Sequence, residues 1–236
     1  PLLGEKATGW EVGLSFTPSI SNQLKNTQSD LAWKINRNYK NFISDNEFGA
    51  FSSSAGINTQ YHLKNNLFIA TGLFVSQRTE GINYNYTITE YPYINNGVVG
   101  YAPLSPSAYV DIVYKGSNSF RFVEIPLNLG YKQTITPKFE IRGQAGVSYL
   151  HLANLSGFKA DFYNLELNNV RDLNYQAQNI ALNAKVGLFY SNNKLALGIE
   201  PTSALNLNNF ADKENAIKVR PYSYGFNITT NYKFIK

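Results

Sequence analysis

Apolar and polar residues alternate with a period of two along most of the chain, in segments of roughly ten to fifteen residues, as in strands that show each face to different surroundings. In Gly9 to Ile20, Trp10, Val12, Leu14 and Phe16 alternate with Glu11, Gly13, Ser15 and Thr17. Gly49 to Leu63 sets Phe51, Ala55, Ile57 and Tyr61 against Ser52, Ser54, Gly56, Asn58 and Gln60. The pattern recurs in Leu67 to Glu80, Ser119 to Gln133, Lys138 to Leu152, Gln176 to Tyr190, Lys194 to Asn206 and Val219 to Ile235. Eight strands are predicted.

The connections alternate in length. Lys64-Asn65-Asn66, Thr134 to Pro137, and Ser191-Asn192-Asn193 are tight, whereas Ser21 to Phe48, Gly81 to Asn118, Ala153 to Tyr175 and Leu207 to Lys218 are long. Short turns at one end and long loops at the other are expected of an outer-membrane barrel, with periplasmic turns and termini and extracellular loops. The orientation of the two faces separates this from a soluble, ligand-enclosing barrel. The polar face is rich in Gly, Ser and Asn, with few Lys and Glu, which suits a narrow filled lumen better than a water-facing surface. Aromatics gather at the strand ends: Trp10, Tyr61, Tyr131, Phe139, Tyr190, Tyr232 and Phe234 near the turns, and Phe51, Phe120, Tyr149, Tyr222 and Tyr224 near the loops. Two girdles of this kind mark membrane interfaces.

Hydrocarbon cannot satisfy a free strand edge, so the strands must close first to last. The expected fold is all-β: an eight-stranded antiparallel transmembrane β-barrel, with residues 1–8 as a lead-in and 9–236 as a single barrel domain. The interior of such a barrel is just wide enough for side chains to fill. Phe68, Phe74, Phe122, Pro126 and Phe189 fall on the inner face against the pattern. Pro126 has no ladder N–H to give, so a bulge or local break is expected there.

The fourth and fifth strands carry a resemblance. Phe122-Val-Glu-Ile-Pro-Leu-Asn-Leu-Gly-Tyr131, the run Leu67 to Arg78 and the stretch Gly143 to Leu150 resemble the outer-membrane β-barrel domain family of Bacteroidota. The closing Tyr232-Lys-Phe234 looks like the aromatic ending that barrel-assembly machinery recognises, although the chain continues through Ile235 and Lys236. The resemblance covers the strands and none of the long loops. It implies a fold and an outer-membrane location. Its members include secretion accessories, subunits of larger complexes and sensor domains of anti-sigma regulators, so it selects no function.

Composition then removes several chemistries. With no cysteine there is no disulfide framework, thiolate metal site or cysteine nucleophile. The net charge of +5 comes with lysines beside the turns and near the chain ends rather than in one stripe, so no nucleic-acid partner is expected. The chain opens at Pro1 without Met, and we read it as a processed product. The two histidines, His62 and His151, fall on opposite rims, and Ser148 and Ser156 near His151 are unremarkable in so serine-rich a chain. We expect no enzyme activity, cofactor or metal.

The candidate sites are of two kinds. Glu11, Arg78, Glu124, Glu140, Arg142, Lys185 and Glu200 fall on the inner face, where buried charges must pair. A hairpin turning about Asn192 and Asn193 would set Lys185 opposite Glu200; Arg78 is expected near Glu124, and Arg142 near an acid. The second kind is aromatic: Tyr84, Tyr86, Tyr91, Tyr93, Tyr101 and Tyr109 in the second long segment, with Trp33 in the first. Tyrosine gives large contact area at low entropic cost, so these loops suit a protein or glycan partner. Alternatively, Tyr84, Tyr86 and Ile88 extend the hairpin beyond the membrane and pair with Val110, Ile112 and Tyr114; Ser29 to Asn36 is expected to form one helical turn. The expected partners are outer-membrane lipid and lipopolysaccharide and another outer-membrane or surface protein. The leading reading is a non-enzymatic anchor or docking subunit; the alternatives are a surface-sensing barrel of an envelope-spanning regulator and a small-solute channel.

Overall fold

The computed structural model describes residues 9–27, 45–95, 98–161, 166–210 and 217–235. Eight strands form the wall: β1 (Gly9–Thr27), β2 (Glu47–His62), β3 (Leu67–Ile88), β6 (Val110–Thr136), β7 (Phe139–Ser156), β10 (Gln178–Ser191), β11 (Leu195–Asn206) and β12 (Ile217–Ile235). They pair in the closed order β1-β12-β11-β10-β7-β6-β3-β2. Two small hairpins interrupt this meander, β4 (Glu90–Asn95) with β5 (Val98–Pro103), and β8 (Phe158–Asp161) with β9 (Glu166–Asn169).

Each turn has a local cause. Asn65 and Asn66 both take positive φ, at 61° and 65°, the backbone that the tightest hairpin turns require and that asparagine tolerates. Asn192 closes the next-to-last hairpin with its side chain, Oδ1 accepting from the Lys194 and Leu195 amides at 2.9 and 2.8 Å. Thr136 Oγ1 accepts from the Phe139 amide at 3.1 Å and shapes the turn between β6 and β7. The barrel closes where β1 runs against β12, from Gly9↔Ile235 to Thr27↔Ile217.

The faces follow the alternation. Leu127 and Val186 are 58% and 54% exposed on the outside, in line with Leu14, Ile57, Leu73 and Ile199. From Trp10 to Ile20 this apolar belt rises about 25 Å for strands tilted by roughly 40°, the height of a hydrocarbon layer. On β3 and β6 it ends at the half-buried Gln77 and the exposed Arg121, where Arg121 Nε donates to Gln77 Oε1 at 3.3 Å.

Beyond that level the wall continues, so the long segments are partly strand. β3 and β6 remain paired out to Ile88↔Val110, with Tyr84 opposite Tyr114 and Tyr86 opposite Ile112. β1 reaches Thr27, well past the expected end at Ile20. The expected helical turn at Ser29 to Asn36 lies outside the described residues, as does Trp33.

Pro126 interrupts the β3–β6 ladder between Thr71↔Leu127 and Phe74↔Glu124 while the register is kept, and Thr71 Oγ1 donates to the Pro126 carbonyl at 2.7 Å. The break is therefore a gap rather than a bulge. Similar gaps flank Pro18 in β1 and Pro201 in β11.

An arginine at a lipid-facing midplane position costs about 2–4 kcal/mol, and far less near an interface. Leu127→Arg should therefore destabilise the barrel by about that amount in lipid vesicles, whereas Ser117→Arg, exposed beyond the belt and opposite Gly81, should be nearly neutral. Urea titration followed by the mobility difference between folded and heat-unfolded protein on gels reads both. Equal, small effects would contradict a lipid-facing Leu127.

Candidate functional site

The lumen is built in successive levels, and the lowest lies next to the short turns. Arg142 is fully buried, at 0% exposure. Its Nη1 donates to Glu11 Oε2 and to Gln60 Oε1, both at 2.7 Å; its Nη2 donates to Glu11 Oε1 at 3.1 Å; and its Nε donates to Glu140 Oε1 at 2.9 Å. His62 Nε2 lies 2.9 Å from Glu11 Oε1. The guanidinium stacks on Phe189, 4.3 Å from the ring centroid. A planar five-donor fork suits this role, because it can serve two carboxylates and an amide at once. Glu11, Glu140 and Arg142 thus come together, joined by Gln60 and His62.

Above this lies a polar layer. Glu200 accepts from Gln144 Nε2 at 3.1 Å and from Asn227 Nδ2 at 2.5 Å. It does not meet Lys185. The observed register pairs Lys185 with Thr202, because the hairpin turns about Asn193 and Lys194 with Ser191 opposite Ala196. The centre of the turn is thus one position beyond the expected Asn192 and Asn193, and the pairing shifts by two, from Glu200 to Thr202.

The middle level is a chamber of about 70 Å³ lined by hydroxyl-bearing side chains together with Arg78, Glu124 and Lys185. Arg78 Nη1 donates to Asn206 Oδ1 at 2.7 Å, and its guanidinium lies 5.2 Å from the Phe122 ring centroid. Among the described residues Arg78 and Glu124 share this chamber without an ion pair inside 4.0 Å.

An aromatic cluster closes the level above. Phe120, Phe122, Leu150, Ala181 and Phe210 are buried together, with Tyr175 packed against them. Phe210 lies 5.1 Å from Phe120 and 4.9 Å from Tyr175 between centroids. Beside the cluster and beyond the apolar belt, Lys25 Nζ meets Glu47 Oε2 at 2.6 Å and Glu80 Oε1 at 3.4 Å. Lys159 Nζ of β8 lies 3.8 Å from Glu47 Oε2, and Asn118 Nδ2 donates to Glu80 Oε2 at 3.3 Å. Burial, and next to it the Glu47 carboxylate, push the Glu80 carboxyl up to about 7. Burial would raise Glu47 too, but Lys159, Lys25 and the Tyr84 hydroxyl outweigh it and hold that carboxyl low. This acid–base cluster was not anticipated.

Tyr84 is one of its members. It is 1% exposed and its hydroxyl donates to Glu47 Oε1, so it is removed from the set of presented tyrosines. Tyr86, Tyr91, Tyr93 and Tyr109 are exposed at the loop end, on or near the β4–β5 hairpin. The Tyr101 side chain and Trp33 lie outside the described residues.

His151 faces outward, whereas Ser148, three positions earlier and so on the other face, is buried in the lumen and accepts from Asn183 Nδ2 at 2.9 Å. The two cannot form a dyad. Among the described residues no three His, Cys, Asp or Glu side chains are grouped to hold a metal.

No family model matches the chain, and no curated protein does. Distant structural likenesses exist. The crystal structure of Neisserial surface protein A shares 12% identity, with 94% of this chain and 97% of that chain covered and a TM-score of 0.44. The outer membrane protein OprG from Pseudomonas aeruginosa shares 12% over 99% of both chains, at 0.45. The outer membrane protease OmpT from Escherichia coli shares 10%, covering 98% of this chain and 99% of that chain, also at 0.45. Nothing about this chain's role follows from likenesses so remote.

Two consequences are measurable. Removing one partner of a buried ion pair leaves uncompensated charge and costs about 3–5 kcal/mol. Arg142→Leu should lose that much stability, whereas Arg142→Leu combined with Glu11→Gln and Glu140→Gln should recover most of it; failure of the triple variant to recover would assign the loss to packing. The second concerns pH. Because the folded Glu80 carboxyl sits near 7, above the ordinary 4.5, the fold holds the extra proton between these values. Its contribution is full below the ordinary value and is lost as pH rises through 7. Glu80→Gln should remove this dependence and stabilise the loop end above pH 7, by on the order of 1–3 kcal/mol. Amide exchange in residues 80–88 and 110–118 at pH 6 and 8, corrected for intrinsic rates, reads it; identical pH dependence in variant and parent would sink the idea.

Proposed function

We propose that this chain is a non-enzymatic barrel of the bacterial outer membrane, with its turns and termini in the periplasm and its hairpins outside the cell. On this reading residues 1–8 lead in and 9–236 form one barrel domain. It acts as an anchor that docks another outer-membrane or surface protein through its loop end. The resemblance of its strands to the Bacteroidota barrel family supports the location.

The observation that carries this reading is the contrast between a blocked interior and an elaborated rim. The lumen is filled by the Arg142 cluster at one end and the Phe120–Phe122–Phe210 cluster at the other, which speaks against a solute path. The paired wall rises past the apolar belt and lifts exposed Tyr91 and Tyr93 on the β4–β5 hairpin. Rigid aromatics on a strand-built platform suit a protein contact, since little freedom is lost on binding. Lipid and lipopolysaccharide meet the belt and its rim.

A photo-crosslinking residue at Tyr91 or Tyr93 in native membranes should capture a discrete protein, while one at the lipid-facing Leu127 should not. Deleting residues 90–103 should leave the barrel folded and abolish the adduct. No adduct at either tyrosine, or steady conductance of the purified barrel in planar bilayers, would overturn the docking reading.

A further inference from the structure

Charge is distributed unevenly along the barrel axis. In the middle of the lumen Arg78 and Lys185 stand against Glu124 and Glu200, and the sum is neutral. At the turn end the cations are Arg142, Lys132, Lys233, Lys64, Lys138 and Lys194, whereas the acids among the described residues are Glu11 and Glu140. Both acids are bound to Arg142. The chain continuing from Gly9 and Ile235 adds Glu5 against Lys6 and Lys236, so the excess stays positive.

Three of these lysines stand in the tight turns. Lys64, Lys138 and Lys194 are exposed, and none has a carboxylate within 4.0 Å among the described residues. Backbone bonds fasten each turn to the next strand: the Lys132 amide donates to the Asn66 carbonyl, Ser191 to Lys138, and Lys233 to Lys194, each at 2.8 Å. The turns are thus held at one level around the rim, two strand spacings or about 10 Å apart. Lipid-facing residues adjoin them, since Phe139 follows Lys138, Leu195 follows Lys194, and Leu67 closes the turn that begins at Lys64.

A flexible four-carbon stem carries each ammonium from the edge of the apolar belt into the headgroup layer. The neighbours that border all three turns at this level are lipid headgroups. We propose that the turn end is a recognition surface for anionic phospholipid, selecting headgroups whose phosphate has no cation of its own. A zwitterionic headgroup brings its own cation and gains little from a second one. A phosphatidylglycerol-type headgroup gains a charge-assisted contact with Lys64, Lys138 or Lys194. A lysine close to an anionic surface contributes about fivefold in affinity. The inference concerns the end opposite the docking hairpins, and a test in pure lipid leaves the docking reading untouched.

Trp10 is a native reporter for the test. It faces lipid and packs on Tyr61, 4.8 Å away between ring centroids, so it stands in the sector of Lys64. The full chain carrying Trp33→Phe, which leaves Trp10 as its one tryptophan, is reconstituted into phosphatidylcholine vesicles. Increasing fractions of brominated phosphatidylglycerol or brominated phosphatidylcholine are included, and quenching of Trp10 gives the relative affinity of the two lipids. Phosphatidylglycerol should be preferred about fivefold at low salt. The preference should shrink at about 1 M sodium chloride, where charges are screened beyond about 3 Å. Lys64→Gln should lower it about twofold or more, whereas Lys115→Gln at the loop end should leave it unchanged; gel mobility verifies that both variants are folded. Should Lys64→Gln fail to fold, the salt series on the parent decides. Lys138→Gln with Lys194→Gln should reduce the phosphatidylglycerol that copurifies from mixed vesicles in mild detergent. Equal quenching by the two lipids, a preference indifferent to salt, or one unchanged in folded Lys64→Gln would overturn the proposal. So would a discrete protein captured by a photo-crosslinking residue at Lys138 in native membranes, with no lipid preference in vesicles.

Discussion

Pairing of β1 with β12 is the contact on which everything else in this molecule depends. A sheet with this apolar outer face cannot end in lipid, because each free N–H and C=O at an edge would lose its water without gaining a partner. Closure with eight strands fixes a narrow bore, and the bore dictates the chemistry inside. Side chains that would be solvated on an open sheet are forced together. Arg142 reaches across the barrel from β7 to Glu11 on β1 and Gln60 on β2. The ionic cluster is thus a consequence of closure and also ties opposite walls to one another.

The inner phenylalanines look out of place in the alternation, and packing explains them. A Cβ added to Gly130 would meet the Phe68 ring, one added to Gly198 would meet Phe189, and one added to Gly56 or Gly72 would meet Phe74. Each ring lies over the notch left by a neighbouring strand's glycine. Arg142 and Lys185 lie over the Phe189 and Phe74 rings, Arg78 lies over Phe122, and Phe68 lies 5.6 Å from His62 between centroids. Glycine therefore makes room for a ring, and the ring supplies a polarisable surface to a cation held away from water. The face that reads as polar with blemishes is one interlocked filling.

The wall was legible in the sequence because period two holds wherever one face meets lipid. The inner face of β3 can be followed in the same parity through Arg78, Glu80, Ile82 and Tyr84, which would have placed Tyr84 inside. Glu47 could not be found that way. The β2–β3 register shifts by one between Gly49 and Ser53, which turns Glu47 inward against the parity of the rest of β2. Lys185 and Glu200 missed one another for a related reason. Hairpin register depends on which residues form the turn, and the Asn192 side chain moves it toward Lys194. Phe210 comes from a connection with no alternation to follow, so its place in the aromatic cluster has no signature in the chain.

The same physics separates what is fixed in this barrel from what is free to differ. Inside the belt each position answers to lipid on one side and to a crowded bore on the other, so a single change of parity would place a charge in hydrocarbon. Past Gln77 and Arg121 the outer constraint lapses, while the β3–β6 ladder keeps going to Ile88 and Val110. Strand pairing without a lipid face leaves outward side chains unspecified by stability. Exposed tyrosines there neither fill the bore nor face acyl chains. A surface held rigid by backbone pairing, yet released from the demands of folding, is where a barrel with a blocked bore can acquire a role.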